Sequence, residues 1–191
     1  MIRSRTVMLA AARLLLMDEG PAAVTHQLVA QKAKVGRATV YRHWPKTEQL
    51  LLDTMATVEL PFFRDPVAPV RPWLRHDLRV LAVEMAVPAV AAVALLMMQS
   101  GAGGLPTEVR DRFLATSTDR IRAALTLAVA EGELVDAVDA HDAHALLIGP
   151  ILQRTCMQGG TVSDELIERL IDSLGTWHPI PPRASLNLTF E

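Results

Sequence analysis

Apolar residues recur at helical spacing through most of the chain, and turn signals separate the helical stretches. Over residues 6–19 they follow one another at intervals of three and four, and a glycine-proline pair at 20–21 ends the run. Thr25 is a suitable N-cap for a short second helix. A third helix is predicted over residues 37–43, after only three non-periodic residues. This spacing predicts a helix-turn-helix unit.

The second part of the chain also shows a helical pattern. Prolines interrupt it after residue 60, and a glycine-rich loop at 100–106 precedes a long predicted helix over 107–131. The most apolar segment, residues 86–98, has 13 residues, fewer than the roughly 20 that a membrane-spanning helix needs. We interpret it as a buried helix and expect no membrane association. The pattern predicts an all-α fold of about nine helices without strands.

Composition and charge narrow the class of protein. The single cysteine, Cys156, rules out an internal disulfide and fits a reducing compartment, so we expect a cytoplasmic protein. Arg13 interrupts the N-terminal apolar run, which argues against a secretory signal. Residues 1–50 carry eight Lys or Arg and three acids, a formal charge of +5, whereas the remainder carries −7. This asymmetry predicts that the N-terminal end meets a polyanion.

The segment TVYRHWP, residues 39–45, places three aromatic or imidazole rings on and after the third helix, in a chain with 4% aromatic residues. On a recognition helix, Arg37 can donate two hydrogen bonds to guanine, and Thr39 can meet a base or a phosphate. Tyr41 can donate its hydroxyl to a phosphate, whereas Trp44 is expected to turn into the core. Each of these could instead be an ordinary surface or core residue. Their coincidence with the basic charge favours DNA binding.

Residues 8–52 resemble the DNA-binding domain of the TetR family of transcriptional repressors, in MLAAARLLLMDEG, in the turn leading to RATVYRHWP, and in QLLL. The resemblance implies an all-α homodimer, in which an N-terminal three-helix module binds double-stranded operator DNA. A larger C-terminal domain would bind a small-molecule inducer that releases the DNA, and we expect an apolar molecule. The predicted DNA-contacting residues are Thr25, His26, Gln27, Arg37, Thr39, Tyr41, Arg42, His43 and Lys46.

Three positions depart from the family pattern. Lys34 stands where the family usually has glycine in the turn, and φ > 0 there would cost a non-glycine residue about 1 kcal/mol. Gly36 replaces the serine that usually caps the recognition helix, and is a weaker cap. After the proline, the family usually reads Ser-Lys, whereas this chain reads Lys46-Thr47. The phosphate-binding lysine is therefore displaced by one position.

The resemblance also divides the chain into a DNA-binding domain, 1–46, a ligand-binding and dimerisation domain, 47–175, and a C-terminal tail, 176–191. Candidate pocket residues are large and apolar, and each could instead be a core residue; they are Met55, Phe62, Phe63, Trp73, Met85, Met97, Met98 and Phe113. The last two helices would pair with those of a second subunit. Candidate interface residues are Leu146, Gly149, Ile151, Leu152, Leu166, Leu170 and Leu174.

Other interpretations of the sequence concern a metal site, a reactive cysteine and a function without DNA binding. His141 and His144 could share a helix face as metal ligands, but without a third ligand nearby we expect solvent exposure and no metal. Cys156 lies in an apolar helix, where cysteine usually serves as a small hydrophobic residue. The alternative function is a helical enzyme or a structural adaptor that does not bind DNA. Motifs for phosphate binding, zinc proteolysis or nucleophilic catalysis are absent from the sequence, so we expect neither an enzyme nor a cofactor.

Overall fold

The computed structural model of the chain describes residues 2–98 and 107–179. Nine α-helices lie within these two ranges, in agreement with the all-α prediction. They are α1 (Ile2–Glu19), α2 (His26–Ala33), α3 (Arg37–His43), α4 (Thr47–Met55), α5 (Val70–Met85), α6 (Pro88–Met98), α7 (Thr107–Ala130), α8 (Ala140–Leu152) and α9 (Asp164–Asp172). A 3₁₀ turn, Pro21–Ala23, follows α1, and a π-helical turn, Gln153–Met157, extends α8.

The sequence pattern does not predict the one small sheet in the described ranges. Strands β1 (Leu134–Val135) and β2 (Thr176–Trp177) pair antiparallel, with Leu134 opposite Trp177. Two residues per strand are too few to show an alternating pattern. Gly175 precedes β2 with φ 147°, and a Cβ there would lie 2.7 Å from the Val135 carbonyl oxygen, so only glycine fits. The rest of the predicted tail, 180–191, lies outside the described residues.

Local capping signals determine where the helix-turn-helix elements begin and end. Thr25 caps α2, because its hydroxyl oxygen accepts a hydrogen bond from the Leu28 amide at 3.2 Å, as the sequence predicts. Lys34 ends α2 in the left-handed region, with φ 54° and ψ 44°. Gly36 then precedes α3 with extended backbone and no side-chain cap. The turn between α2 and α3 thus contains the predicted non-glycine residue at positive φ.

Two hydrophobic cores lie in the described residues. The first is formed by the four helices α1, α2, α3 and α4. Its fully or nearly fully buried members include Met8, Leu16, Val29, Val40, Trp44, Leu50 and Met55. The second joins α5, α7, α8 and α9 around residues such as Leu74, Leu78, Ile121, Leu147 and Ile171. Leu50 and Met55 belong to α4, so this helix packs with the N-terminal helices. The predicted division of the chain into domains stays a prediction.

Helix α6 lies between the two cores. Its residues Val93, Leu96 and Met97 pack against the first core, whereas Val90 and Ala94 pack against the second. The helix begins at Pro88, a favourable first helical position. Most of its side chains are only half-buried, so the prediction of a buried helix holds in part.

By length and composition, none of the described helices could cross a bilayer by itself. Only the pair formed by α5 and α6, which is bent by 94°, is apolar and long enough when the two helices are taken together.

Candidate nucleic-acid interface and ligand cleft

Helices α2 and α3 present one polar, basic surface, which we call the α2–α3 face. Val40 is fully buried and thereby fixes the rotation of α3. The predicted DNA-contacting residues on this face that are exposed are Gln27, Arg37, Tyr41, Arg42 and, just after α3, Lys46; Thr25, Thr39 and His43 are half-buried. Eight of the nine predicted residues are thus exposed or half-buried on or next to α2 and α3, and their contact with DNA stays a prediction.

Three planar side chains stack on one another across this face. The guanidinium carbon of Arg37 lies 5.6 Å from the centroid of the Tyr41 ring. The Tyr41 ring in turn stacks on His26, with 4.0 Å between ring centroids and 7° between the planes. Tyr41 remains 43% exposed, so its hydroxyl-bearing ring is held in a fixed orientation while still reaching solvent.

His26 is the one predicted DNA-contacting residue whose side chain is buried. It is only 5% exposed, and its Nε2 lies 2.7 Å from the carbonyl oxygen of Trp44. A carbonyl can only accept, so Nε2 carries the hydrogen; in the neutral ring, Nδ1 then accepts from the Thr47 hydroxyl at 3.2 Å. The prediction that the His26 side chain contacts DNA is therefore wrong. The ring instead joins α2, the end of α3 and the start of α4 beneath Tyr41.

The cations of the α2–α3 face are not neutralised by the protein. Within the described ranges, Lys34, Arg37, Arg42 and Lys46 form no ion pair with a carboxylate, although Arg42 donates a hydrogen bond to the Thr39 hydroxyl at 3.3 Å. Other cations of the N-terminal helices are paired with carboxylates: Arg5 pairs with Asp53, and Lys32, on α2, pairs with Asp18. The face therefore carries positive charge available to an external anion.

A second network, which no sequence motif predicts, supports the end of α3. Trp44 is 2% exposed, which confirms its predicted place in the core. Its indole Nε1 donates to Asp53 Oδ2 at 2.7 Å, and Arg5 donates to the same oxygen at 2.5 Å while lying 5.4 Å above the Trp44 ring. Arg5 and Asp53 are 48 residues apart, so local sequence carries no signal for this contact.

Most of the predicted pocket residues are core residues in the described structure, and the pocket itself stays a prediction. Met55 lies in the first core, and Met97 packs against that core from α6. Phe62, Phe63 and Met85 belong to the second core, Trp73 packs against it, and Met98 is 53% exposed. Phe113 and Phe63 also line open clefts beside α7.

Two adjoining clefts lie between α7 and the chain that follows α4. The smaller has a volume of about 130 Å³ and is lined by Val58, Leu60, Arg112 and Phe113 among others; the larger, of about 740 Å³, extends towards Arg64 and Asp65. Glu59, Thr116 and Arg120 line both. We call the smaller one the Arg120 cleft. Its walls combine apolar groups with guanidinium groups.

The predicted subunit interface is also partly corrected. Ile151, Leu170 and Leu174 are 0%, 7% and 0% exposed, because they fill the second core of their own chain. Leu146, by contrast, is 37% exposed, and a Cβ added at Gly149 would meet nothing within 4 Å. Leu152 and Leu166 are half-buried. An apolar strip on α8 therefore remains available for a partner.

The two histidines of α8 do not converge on a metal site. His144 Nε2 lies 2.8 Å from the Ser117 hydroxyl oxygen, and burial, together with the charge of His141, lowers the pKa of His144 below its ordinary value. His141 is exposed to solvent, as expected, whereas His144 is half-buried, so the expectation of exposure is wrong for His144. Across residues 2–98 and 107–179, no three His, Cys, Asp or Glu side chains are grouped to hold a metal ion.

Comparison with known proteins gives matches over both parts of the chain. The family model for bacterial regulatory proteins of the tetR family matches residues 8–54, and that for the tetracyclin repressor-like C-terminal domain matches residues 71–174. An uncharacterized HTH-type transcriptional regulator of Bacillus subtilis (strain 168), YdeS, is 28% identical over 170 residues, covering 85% of this chain and 83% of YdeS.

Solved structures show the same fold. The TetR family transcription regulator SCO0332 superposes with a TM-score of 0.68 at 26% identity, covering 88% of this chain and 94% of that one. AibR, solved in complex with isovaleryl coenzyme A and operator DNA, gives a TM-score of 0.55 at 22% identity, covering 92% of this chain and all (100%) of AibR.

Proposed function

Because the chain belongs to the TetR family of bacterial regulatory proteins, we propose that it is a transcriptional repressor that a small molecule releases from operator DNA. The observation that carries this proposal is the α2–α3 face, where the Arg37–Tyr41–His26 stack lies among cations that no protein carboxylate pairs. AibR, which has the same fold, was crystallised with both operator DNA and isovaleryl coenzyme A, and this supports a fold that can bind DNA and a small molecule. The family comprises regulators rather than enzymes.

On DNA, each exposed residue of the face has a role that follows from its chemistry. Arg37 is the first residue of α3, so its fork can reach guanine O6 and N7 in the major groove. Tyr41, one turn further, donates its hydroxyl to a phosphate. Lys46 is the N-cap residue of α4, where its ammonium group and the helix N-terminus both attract phosphate. Thr25 and Gln27 contact the backbone from the start of α2.

The regulator acts as a cytoplasmic homodimer, in which two α2–α3 faces read two half-sites of one operator. The exposed strip of α8 around Leu146 and Gly149 supports this assembly, because it offers apolar surface and room for a second helix.

The test is a fluorescence anisotropy titration of a labelled duplex taken from the DNA upstream of the gene, repeated over a range of salt concentrations. We expect sequence-preferring binding that weakens steeply with salt, since phosphate contacts release counterions. Absence of such binding would contradict the regulator assignment.

Two variants test the α2–α3 face directly. Arg37→Ala should lose about 1 to 3 kcal/mol of discrimination between the preferred duplex and others. Tyr41→Phe should weaken binding to all duplexes alike, because a phosphate contact carries no sequence information. Arg79→Ala, an exposed arginine on α5, is the matched control and should bind like the parent. If the two variants also bound like the parent, this face would not be the DNA-binding surface.

A further inference from the structure

Three residues of α7 turn towards the Arg120 cleft. Arg112, Thr116 and Arg120 follow one another at intervals of four residues, which places them on one side of the helix. They face Val58, Glu59 and Leu60 in the connection after α4. The cleft therefore has a helical wall that carries two guanidinium groups and a hydroxyl.

The guanidinium of Arg120 is half-buried without a carboxylate partner. Its Nη1 donates to the carbonyl oxygens of Leu60 and Phe62, both at 2.9 Å, and no ion pair to Arg120 occurs within the described residues. Burial lowers the pKa of Arg120 below its ordinary value, and the nearby charge of Arg64 lowers it further. The carboxylates of Asp65 and Glu59 favour its charged form from a distance, but neither forms an ion pair with it within the described residues, so an anion bound in the cleft could pair with this half-buried guanidinium directly.

The acids around the cleft are largely engaged elsewhere. Glu59 accepts from Arg64 at 2.8 Å, and Asp119 accepts from Arg122 at 2.6 Å. Asp65 lines only the larger, adjoining cleft and favours the charged form of Arg120 from a distance. The Arg120 cleft therefore keeps a net positive charge from its two arginines.

The remaining walls show what else a ligand must carry. Val58, Leu60 and Phe113 supply apolar surface, and the volume of about 130 Å³ limits the ligand to a small molecule. The Thr116 hydroxyl makes no hydrogen bond within the described ranges, whereas Thr126 and Thr155 each donate to the carbonyl four residues earlier at 2.8 Å. Thr116 is thus free to donate to a ligand in the cleft.

We propose that the Arg120 cleft binds a small organic carboxylate with a short apolar or aromatic body. Arg120 and Arg112 pair with the carboxylate, Thr116 donates to it, and the body lies against Phe113 and Leu60. This site names the ligand class of the proposed regulator and to that extent rests on the proposed function. Binding of the anion, however, requires only the folded chain and no DNA.

The experiment is isothermal titration calorimetry of the full chain with benzoate and hexanoate, and with benzamide and inorganic phosphate as matched probes. We expect at least one of the two carboxylates to bind about tenfold or more tightly than benzamide, which lacks the charge, and than phosphate, which lacks the apolar body. Arg112→Gln and Thr116→Val should each weaken carboxylate binding several-fold, and Arg120→Gln about tenfold or more. Arg110→Gln, on the same helix but outside the cleft lining, is the control.

Several results would overturn the site. They are absence of binding by both carboxylates, benzamide or phosphate binding as tightly as the carboxylates, or an equal loss in Arg110→Gln and Arg112→Gln. Because Arg120→Gln also removes two hydrogen bonds to the connection, the exposed Arg112 provides the decisive variant if the Arg120 variant fails to fold. An anisotropy titration on the same sample separates the two proposals: intact DNA binding without carboxylate binding overturns this inference alone.

Discussion

The ring of His26 shows how one residue can serve an interface that it does not touch. It is 5% exposed, hydrogen-bonds the last turn of α3 through the Trp44 carbonyl, and forms the floor on which Tyr41 stacks. His26 is therefore a positioning residue. Because the Tyr41 ring is already held by the stack, it loses less conformational entropy when DNA binds.

His26→Ala should therefore lower both stability and DNA affinity. Loss of one buried and one partly buried hydrogen bond is expected to cost about 1 to 3 kcal/mol in the free energy of unfolding, measured by urea denaturation. Loss of the stack should weaken binding to all duplexes alike in anisotropy titrations. Gln27→Ala, the exposed neighbour on α2, is the stability control and should unfold like the parent. Unchanged stability of His26→Ala would contradict the role assigned to the ring.

At the scale of elements, α5 depends on a carboxylate from a distant part of the chain. Its own N-cap residue, Pro69, has no side-chain cap. Both carboxylate oxygens of Glu133, a residue only 2% exposed, accept from the Val70 amide at 2.8 Å. This contact compensates the first amides and the positive end of the helix dipole.

Glu133→Ala should destabilise the chain by about 1 to 3 kcal/mol, because it leaves a buried amide without an acceptor. Glu133→Gln should lower the free energy of unfolding by less, because the amide carbonyl oxygen of glutamine can still accept the hydrogen bond although the negative charge is gone. Thermal and urea unfolding measure both, with Glu19→Ala at the exposed end of α1 as the control. Equal stability of Glu133→Ala and Glu19→Ala would show that the cap is dispensable.

Helices α5 and α9 are joined by a row of ion pairs that should respond to acid. Glu168 lies between Arg75 and Arg71, and hydrogen bonds from these two arginines outweigh burial and lower its pKa from 4.5 to about 2. Because the folded state has the lower pKa, the stabilisation is complete above the ordinary value of 4.5 and is lost as the pH falls towards about 2.

The free energy of unfolding of the parent should thus decrease as the pH falls from about 5 to about 2. In Glu168→Gln, the free energy of unfolding should depend less steeply on pH. The loss of unfolding free energy that these ion pairs account for is expected to stay below about 1 kcal/mol per pair, because the side chains are partly exposed and their charges are screened. Urea denaturation at several pH values measures it. Parallel curves for the two proteins would contradict the assigned pKa.

At the scale of the whole molecule, the uneven charge and the exposed strip of α8 suggest how two chains are arranged. The first 50 residues carry +5 and the remainder −7. If two chains pair through α8, which packs with α5, α7 and α9, both α2–α3 faces stay open to DNA, while the acidic remainder limits non-specific attraction to a polyanion.

Leu146→Glu should shift the chain from dimer to monomer, with a dissociation constant about tenfold or more higher, because a carboxylate would be buried without a partner. Val83→Glu is the matched control, since Val83 is 68% exposed on α5. Sedimentation velocity at micromolar concentration distinguishes the two. A parent protein that sediments as a monomer would remove the basis for the predicted interface.

The sequence predicted what local chemistry determines. The bounds of α3, the Thr25 cap and the inward turn of Trp44 follow from signals within a few residues. His26 was misassigned because its burial depends on Trp44 and Thr47, which lie 18 and 21 residues away. The Glu133 cap spans 63 residues.

The sequence does not predict the Arg120 cleft for a different reason. A run of apolar residues predicts that side chains are buried, but it does not tell a packed core from the wall of a cavity. The Arg120 cleft arises where α7 lies beside the connection after α4, a tertiary contact that no local sequence pattern encodes.

Lys34 has opposite effects on the stability of the turn and on the attraction for phosphate. A residue with a Cβ at φ 54° lowers the stability of the turn by about 1 kcal/mol relative to glycine, while its ammonium group adds attraction for phosphate beside the recognition helix. The conformational cost is independent of ionic strength, whereas the attraction is screened as salt rises. The net value of this lysine therefore depends on the medium: it favours the DNA complex in dilute salt and leaves only a weaker turn in concentrated salt.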